Sequence, residues 1–204
     1  LDGTVLNTDE LIFESFRHTF KQFLPEYTLS EEELLSFLGP PLRESFARYL
    51  SGHQVDEAVE VYRAYNREKH NDYVTLYPHE TEVLKKLHEE GIKMAIVTTK
   101  YKDAAVYGLK CADLDQYFDV VIGSDEVTHG KPHPEALRVA LSHLNATKGY
   151  MIGDNVTDIQ AGKNAGIGTI GVTWSLKGTQ FLLEEHPDYM MESYDDLYQY
   201  LERM

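Results

Sequence analysis

From Pro78 onward, short apolar runs such as Ala95-Ile96-Val97 and Tyr150-Met151-Ile152 alternate with stretches patterned for amphipathic helices. Near-continuous apolar strands separated by helices require a parallel sheet covered on both faces, because each crossover helix packs back onto the sheet it connects. The spacing predicts helices over Thr81–Glu90 (closed by Gly91), Tyr101–Leu109, Pro134–Leu144, Thr157–Asn164, Gly178–Glu185 and Ser193–Arg203. It predicts strands over Ile92–Val97, Phe118–Ile122, Tyr150–Ile152 and Thr169–Thr173.

The stretch between Asp9 and Val74 is of a different kind. Only Gly39 and Gly52 of the 14 glycines fall there, against six of the eight phenylalanines. Phe13, Phe16, Phe20 and Phe23 recur at helical spacing. Ser30 with Glu33 forms a capping-box pattern, and Gly39-Pro40-Pro41 and Ser51-Gly52 break the run. Four helices are expected, with the aromatic stripe as their core and not a ligand box. The chain therefore reads as an α/β domain, a Rossmann-like parallel sheet covered by helices on both faces, over residues 1–8 plus 77–204. An all-helical domain over residues 9–76 is inserted after the first strand.

Composition removes several functions. The net charge of −15 argues against nucleic acid, where phosphate neutralisation needs a basic face, and against anionic lipid. No apolar run approaches the roughly 20 residues that span a bilayer. The single cysteine, Cys111, excludes an intramolecular disulfide and points to a cytoplasmic home, with the thiol itself a half-buried small hydrophobe.

In a sheet of this kind ligands bind at the carboxyl ends of the strands. Four polar groups fall there in order. Asp2-Gly3-Thr4 is an acidic turn. Thr98-Thr99-Lys100 offers a hydroxyl and turn amides, fit for an anion or for a helix N-cap. Gly130-Lys131-Pro132-His133-Pro134 holds a lysine in a stiff loop. Gly153-Asp154-Asn155-Val156-Thr157-Asp158 places two carboxylates four apart at a helix start, suited to the helix dipole or to a hard cation. Together, acid, hydroxyl, lysine and paired acids are what phosphoryl transfer to a carboxylate uses.

With these motifs in this order the chain resembles the haloacid-dehalogenase-like phosphohydrolases whose helical cap follows the first motif. That motif reads Asp-x-Asp-Gly-Thr, and Leu1-Asp2-Gly3-Thr4 matches its last four positions. The resemblance implies a nucleophilic aspartate immediately before Leu1 and an aspartyl-phosphate intermediate. It makes Asp2 the general acid/base, with its backbone carbonyl on Mg²⁺. It gives Thr98 and Lys131 catalytic roles and places Gly3, Thr98, Thr99, Lys131 and Arg43 on substrate. Asp154 becomes a Mg²⁺ ligand, with Asp158 behind it or on a bound water. The cap closes over the site. Gly39-Pro40-Pro41-Leu42, Tyr62-Arg63-Ala64-Tyr65-Asn66, Val97-Thr98-Thr99-Lys100 and Trp174 with Lys177-Gly178 are similar to the family's bacterial inorganic pyrophosphatases, close to phosphoglycolate phosphatases. Asn155 and His133 depart from the residues common at their positions.

The expected partner is thus inorganic pyrophosphate or another small phosphorylated substrate, with Mg²⁺ as cofactor. A phosphomutase shares the architecture. A receiver-like phospho-acceptor lacks the helical insertion, and a true dehalogenase has no use for Asp154. Arg43 is open between a phosphate contact and a solvated helix-start arginine. His129 and His133 have the spacing of zinc ligands, but Gly130 and Pro132 oppose the helix that would align them, so the pair is set aside. Asn145-Ala146-Thr147 and Asn155-Val156-Thr157 are chance sequons, and Trp174 is read as packing near the sheet edge.

Overall fold

The computed structural model describes residues 1–203 and divides into two units. One is Asn7–Thr75. The other joins Leu1–Leu6 to the chain from Leu76 onward.

The first unit is helical: α1 (Asp9–Phe23), α2 (Glu31–Ser36), α3 (Leu42–Ala47) and α4 (His53–Tyr73). Gly39-Pro40-Pro41 separates α2 from α3 and Ser51-Gly52 precedes α4, although α3 stops at Ala47, short of the expected Leu50; Ser30 and Glu33 cap α2 reciprocally, at 3.2 and 2.8 Å. Phe16, Phe20, Phe37 and Phe46 are buried with Leu34, Val55, Val59 and Tyr62, and Phe16 stacks on Phe37 at a centroid distance of 4.1 Å. Each such buried ring contributes roughly 1.5–3 kcal/mol by leaving water; Phe13 and Phe23 of the stripe are half-buried against this core. The buried amide of Asn66 donates to Ser15 Oγ at 3.2 Å, and Ser15 donates in turn to the Leu11 carbonyl at 2.6 Å.

The second unit carries α5 (Glu80–Glu89), β1 (Ala95–Val97), α6 (Lys102–Cys111), β2 (Val120–Ile122), α7 (Glu135–His143), β3 (Tyr150–Gly153), α8 (Val156–Ala165), β4 (Gly168–Val172), α9 (Gln180–Leu183), β5 (Tyr189–Met191) and α10 (Tyr194–Leu201). All ladders are parallel. β1 pairs with β2, setting Ile96 opposite Val121; β4 lies between β3 and β5, setting Ile170 opposite both Ile152 and Tyr189. Val97, Ile122, Ala136, Leu137, Ala140, Met151 and Ala161 form one buried cluster, so both ladders and α7 and α8 share a core.

Five features differ from the reading of the sequence. The ladders form two sheets, of two and three strands, among the described residues. At the start of the chain the backbone turns on itself: the Leu1 carbonyl accepts from Val5 and Leu6 at 2.8 and 2.9 Å, leaving the isolated bridge Asp2–Leu6 in place of a strand. β1 is shorter than expected because Asp119 takes over at its upstream end, accepting from Met94 N–H at 3.0 Å and from Lys93 Nζ at 2.9 Å. Tyr189–Met191 is a strand, too short for periodicity to reveal. Cys111, the last residue of α6, is exposed and not half-buried. Among the described residues no helix is long and apolar enough to cross a membrane.

Candidate active site

The polar residues at the strand ends of the second unit gather around Asp154. This residue follows β3 directly, where the chain leaves the sheet for α8. Thr4 donates its hydroxyl to Asp154 Oδ1 at 3.1 Å. Gly3 has φ +70°, and a Cβ there would stand 2.5 Å from Asp154 Oδ2, so only glycine lets the acidic turn approach the carboxylate so closely. Ser175 donates to the Asp154 carbonyl at 3.0 Å, and Trp174 Nε1 donates to the Gly3 carbonyl at 3.0 Å. Both lie just beyond β4.

Lys131 reaches the same place from the loop after β2. Its ammonium donates to Asp158 Oδ1 at 2.6 Å and to the Val97 carbonyl at 3.5 Å. The side chains of this pair are only 10% and 5% exposed, so the ions are almost wholly removed from water. Asp158 also closes the start of α8: its Oδ2 accepts the Asn155 N–H at 3.1 Å. A Cβ on Gly153 would fall 2.3 Å from Asp158 Oδ2, so glycine is required there too.

Asp2 accepts from Lys100 Nζ at 2.7 Å, which fixes the orientation of its carboxylate. Thr98 is buried, and its Oγ1 accepts the Lys100 N–H at 3.1 Å. A hydroxyl that accepts there still has its own O–H to donate to an anion. Thr99 is half-buried beside it. Asp2, Gly3, Lys131, Asp154 and Asp158 are thus tied to one another or to common neighbours, and Thr98 joins them through Lys100. Arg43 lies in the helical unit, at the start of α3, where it forms an ion pair with Asp56.

The carboxyl of Asp154 is pushed up to about 6, first by its loss of hydration and second by the negative charge of Asp158. Two acids whose mutual repulsion raises one of them form a site that a divalent cation relieves. The donors on offer are oxygens, the set that Mg²⁺ prefers. The residues therefore fit a magnesium ion.

Five contributors carry little or no signal of their own in the sequence. Thr4 stands out only as part of a motif. Lys100, the partner of Asp2, follows two threonines that carry the stronger signal. Trp174 and Ser175 follow β4, whose end carries no charged turn to mark it; Trp174 is a site neighbour and does not merely pack at an edge. Lys177, in the same loop, has its ammonium pushed down by burial, with the charges of Asp154 and Asp158 opposing the shift. Its signal was positional: a lysine shortly after a strand end. His129 and His133 also come together, against expectation, because a loop and not a helix brings their ring centroids to 4.6 Å.

The profile of the haloacid dehalogenase-like hydrolase family matches residues 1–172. A protein named Pyrophosphatase PpaX from Listeria monocytogenes serotype 4b is 46% identical over 199 residues, covering 97% of this chain and 91% of that protein. Its namesake from Bacillus velezensis is 44% identical over the same length, covering 97% and 91%. Among solved structures, a haloacid dehalogenase-like family hydrolase from Streptococcus pneumoniae superposes with a TM-score of 0.86 at 29% identity, covering 98% of this chain and 95% of that one. CbbY from Rhodobacter sphaeroides, at 21% identity, shares the fold with a TM-score of 0.83 over 97% and 93%. The strand-end cluster and these likenesses converge: the chain belongs to the haloacid dehalogenase-like hydrolase family.

Proposed function

We propose that the protein is a Mg²⁺-dependent phosphatase whose substrate is inorganic pyrophosphate, cleaved to two phosphates through an aspartyl-phosphate intermediate. The observation that carries this reading is the convergence of Lys131, Asp154 and Asp158 with the Asp2-Gly3-Thr4 turn. The relatives named for pyrophosphatase activity support the choice of substrate.

The geometry supports the following division of labour. Asp154 and Asp158, with the Asp2 carbonyl, would hold Mg²⁺. When bound, the ion would supply positive charge that offsets the charge on the phosphoryl oxygens. The ammonium of Lys131 faces the same centre, where it offsets charge on the phosphoryl oxygens. The hydroxyl of Thr98 and the turn amides at Thr99 and Gly3 orient those oxygens. Asp2, held by Lys100, donates a proton to the leaving phosphate and later accepts one from the attacking water. The nucleophile we assign is the aspartate expected immediately before Leu1. The helical unit corresponds to the inserted cap. A cytoplasmic location fits the lone cysteine.

The experiment is a substrate panel with protein extended through that aspartate. Pyrophosphate, phosphoglycolate and β-glucose 1-phosphate are offered with Mg²⁺, and released phosphate is measured. Preferred release from pyrophosphate is expected. Preference for phosphoglycolate overturns the substrate, and isomerised sugar phosphate without free phosphate overturns the hydrolase.

A further inference from the structure

We propose that His129, His133 and Glu135 form a second metal site, for a divalent transition metal of the zinc type, whose occupancy restrains the loop that carries Lys131. The site is separate from the magnesium centre and differs from it in chemistry. Two imidazoles and one carboxylate suit zinc, copper or nickel, whereas Mg²⁺ prefers oxygen throughout.

The three ligand atoms lie within 4.8 Å of one another. Glu135 Oε2 stands 2.9 Å from His129 Nδ1 and 3.8 Å from His133 Nδ1. Neighbouring ligands of a tetrahedral zinc ion at ordinary bond lengths are roughly 3.3 Å apart, so the two separations bracket the required value. Coordination exchanges the Glu135 N–H bond to His133 Nδ1, a long one at 3.3 Å, for a metal bond. Both histidines are exposed, which leaves an entry path and room for water as a further ligand.

The carboxylate is already placed. It accepts the backbone N–H of Thr128 at 2.8 Å and of His129 at 3.0 Å, which orient it toward the two imidazoles. The loop is closed further by the His133 N–H on the Gly130 carbonyl at 3.0 Å, and Asn164 ties Pro132 to α8 at 2.9 Å. A metal bridging residues 129, 133 and 135 therefore clamps both sides of Lys131, whose ammonium reaches Asp158.

The test is equilibrium competition for Zn²⁺ against a chromophoric chelator, in excess Mg²⁺, with wild type, His129→Ala, His133→Ala and the double variant. Wild type is expected to take up one Zn²⁺ that the double variant does not. Each single variant should bind at least tenfold more weakly, the lower end of what loss of a supporting group costs a metal site. Equal uptake by wild type and double variant overturns the site. Turnover with Mg²⁺ alone should be unchanged in the double variant, which keeps Lys131 and both acids. Added Zn²⁺ should slow wild type at concentrations that leave the double variant unaffected. Equal slowing of both overturns the coupling to Lys131 and assigns the effect to exchange at the magnesium centre.

Discussion

Replacing Lys131 with methionine separates two roles that one ion pair combines. The side chains of Lys131 and Asp158 are 10% and 5% exposed and meet at 2.6 Å. Lys131→Met keeps the aliphatic volume but leaves a buried carboxylate without its cation, which should cost about 3–5 kcal/mol of stability. Asp158→Asn removes the charge while keeping an oxygen for the Asn155 N–H. The double variant, with neither charge buried, should recover most of the loss. Turnover should not recover with it. If Lys131 offsets phosphoryl charge, Lys131→Met loses roughly 10²–10³ in rate, and the double variant stays at least as low. The assay is urea denaturation with metal chelated, beside phosphate release with Mg²⁺ restored. A single-variant cost below about 1 kcal/mol would show the pair to be screened by water as surface pairs are. Recovery of turnover in the double variant would reduce Lys131 to a structural role.

Glu80, at the start of α5, is fully buried and accepts the Tyr77 N–H at 3.0 Å; its Oε1 has no hydrogen-bond partner among the described residues. Burial lifts its carboxyl from 4.5 to about 8. The folded state therefore keeps a proton that the unfolded state loses, and stability falls as pH rises across that window, by roughly 5 kcal/mol at most. Glu80→Gln should flatten this slope, so that the variant gains on wild type between pH 5 and about 8; parallel denaturation curves at all pH values would reject the assignment. Gly3→Ala puts a methyl 2.5 Å from Asp154 Oδ2 at a left-handed φ, so stability should fall about 1–3 kcal/mol. The Mg²⁺ concentration for half-maximal turnover should rise at least about tenfold. An unchanged Mg²⁺ requirement would make Gly3 a turn residue only.

The sequence made the fold class legible because its periods are unambiguous. The phenylalanine stripe at helical spacing can bury itself only in a bundle, and the runs at Val120–Ile122 and Gly168–Val172 are too apolar for a sheet wet on one face. The motif residues were legible where chemistry left a charge at a strand end, as at Lys131 and Asp154. Partners that join by tertiary contact alone were not. Trp174 meets Gly3 across 171 positions, and Lys100 meets Asp2 across 98. No local pattern encodes either. The His129–His133 pairing is hidden in the sequence because Gly130 and Pro132 oppose a helix; a loop folded back onto Glu135 brings the two rings together with backbone hydrogen bonds instead.

The central claim is that Asp154 holds the magnesium ion on which phosphoryl transfer depends. Its most direct measurement is Mg²⁺ titration of pyrophosphate hydrolysis by wild type and Asp154→Ala, both extended to include the proposed nucleophile, with circular dichroism to verify the fold. The account predicts saturable activation of the wild type and, in a folded variant, no Mg²⁺-dependent phosphate release. A folded Asp154→Ala protein that hydrolyses pyrophosphate with the wild-type Mg²⁺ dependence would contradict it.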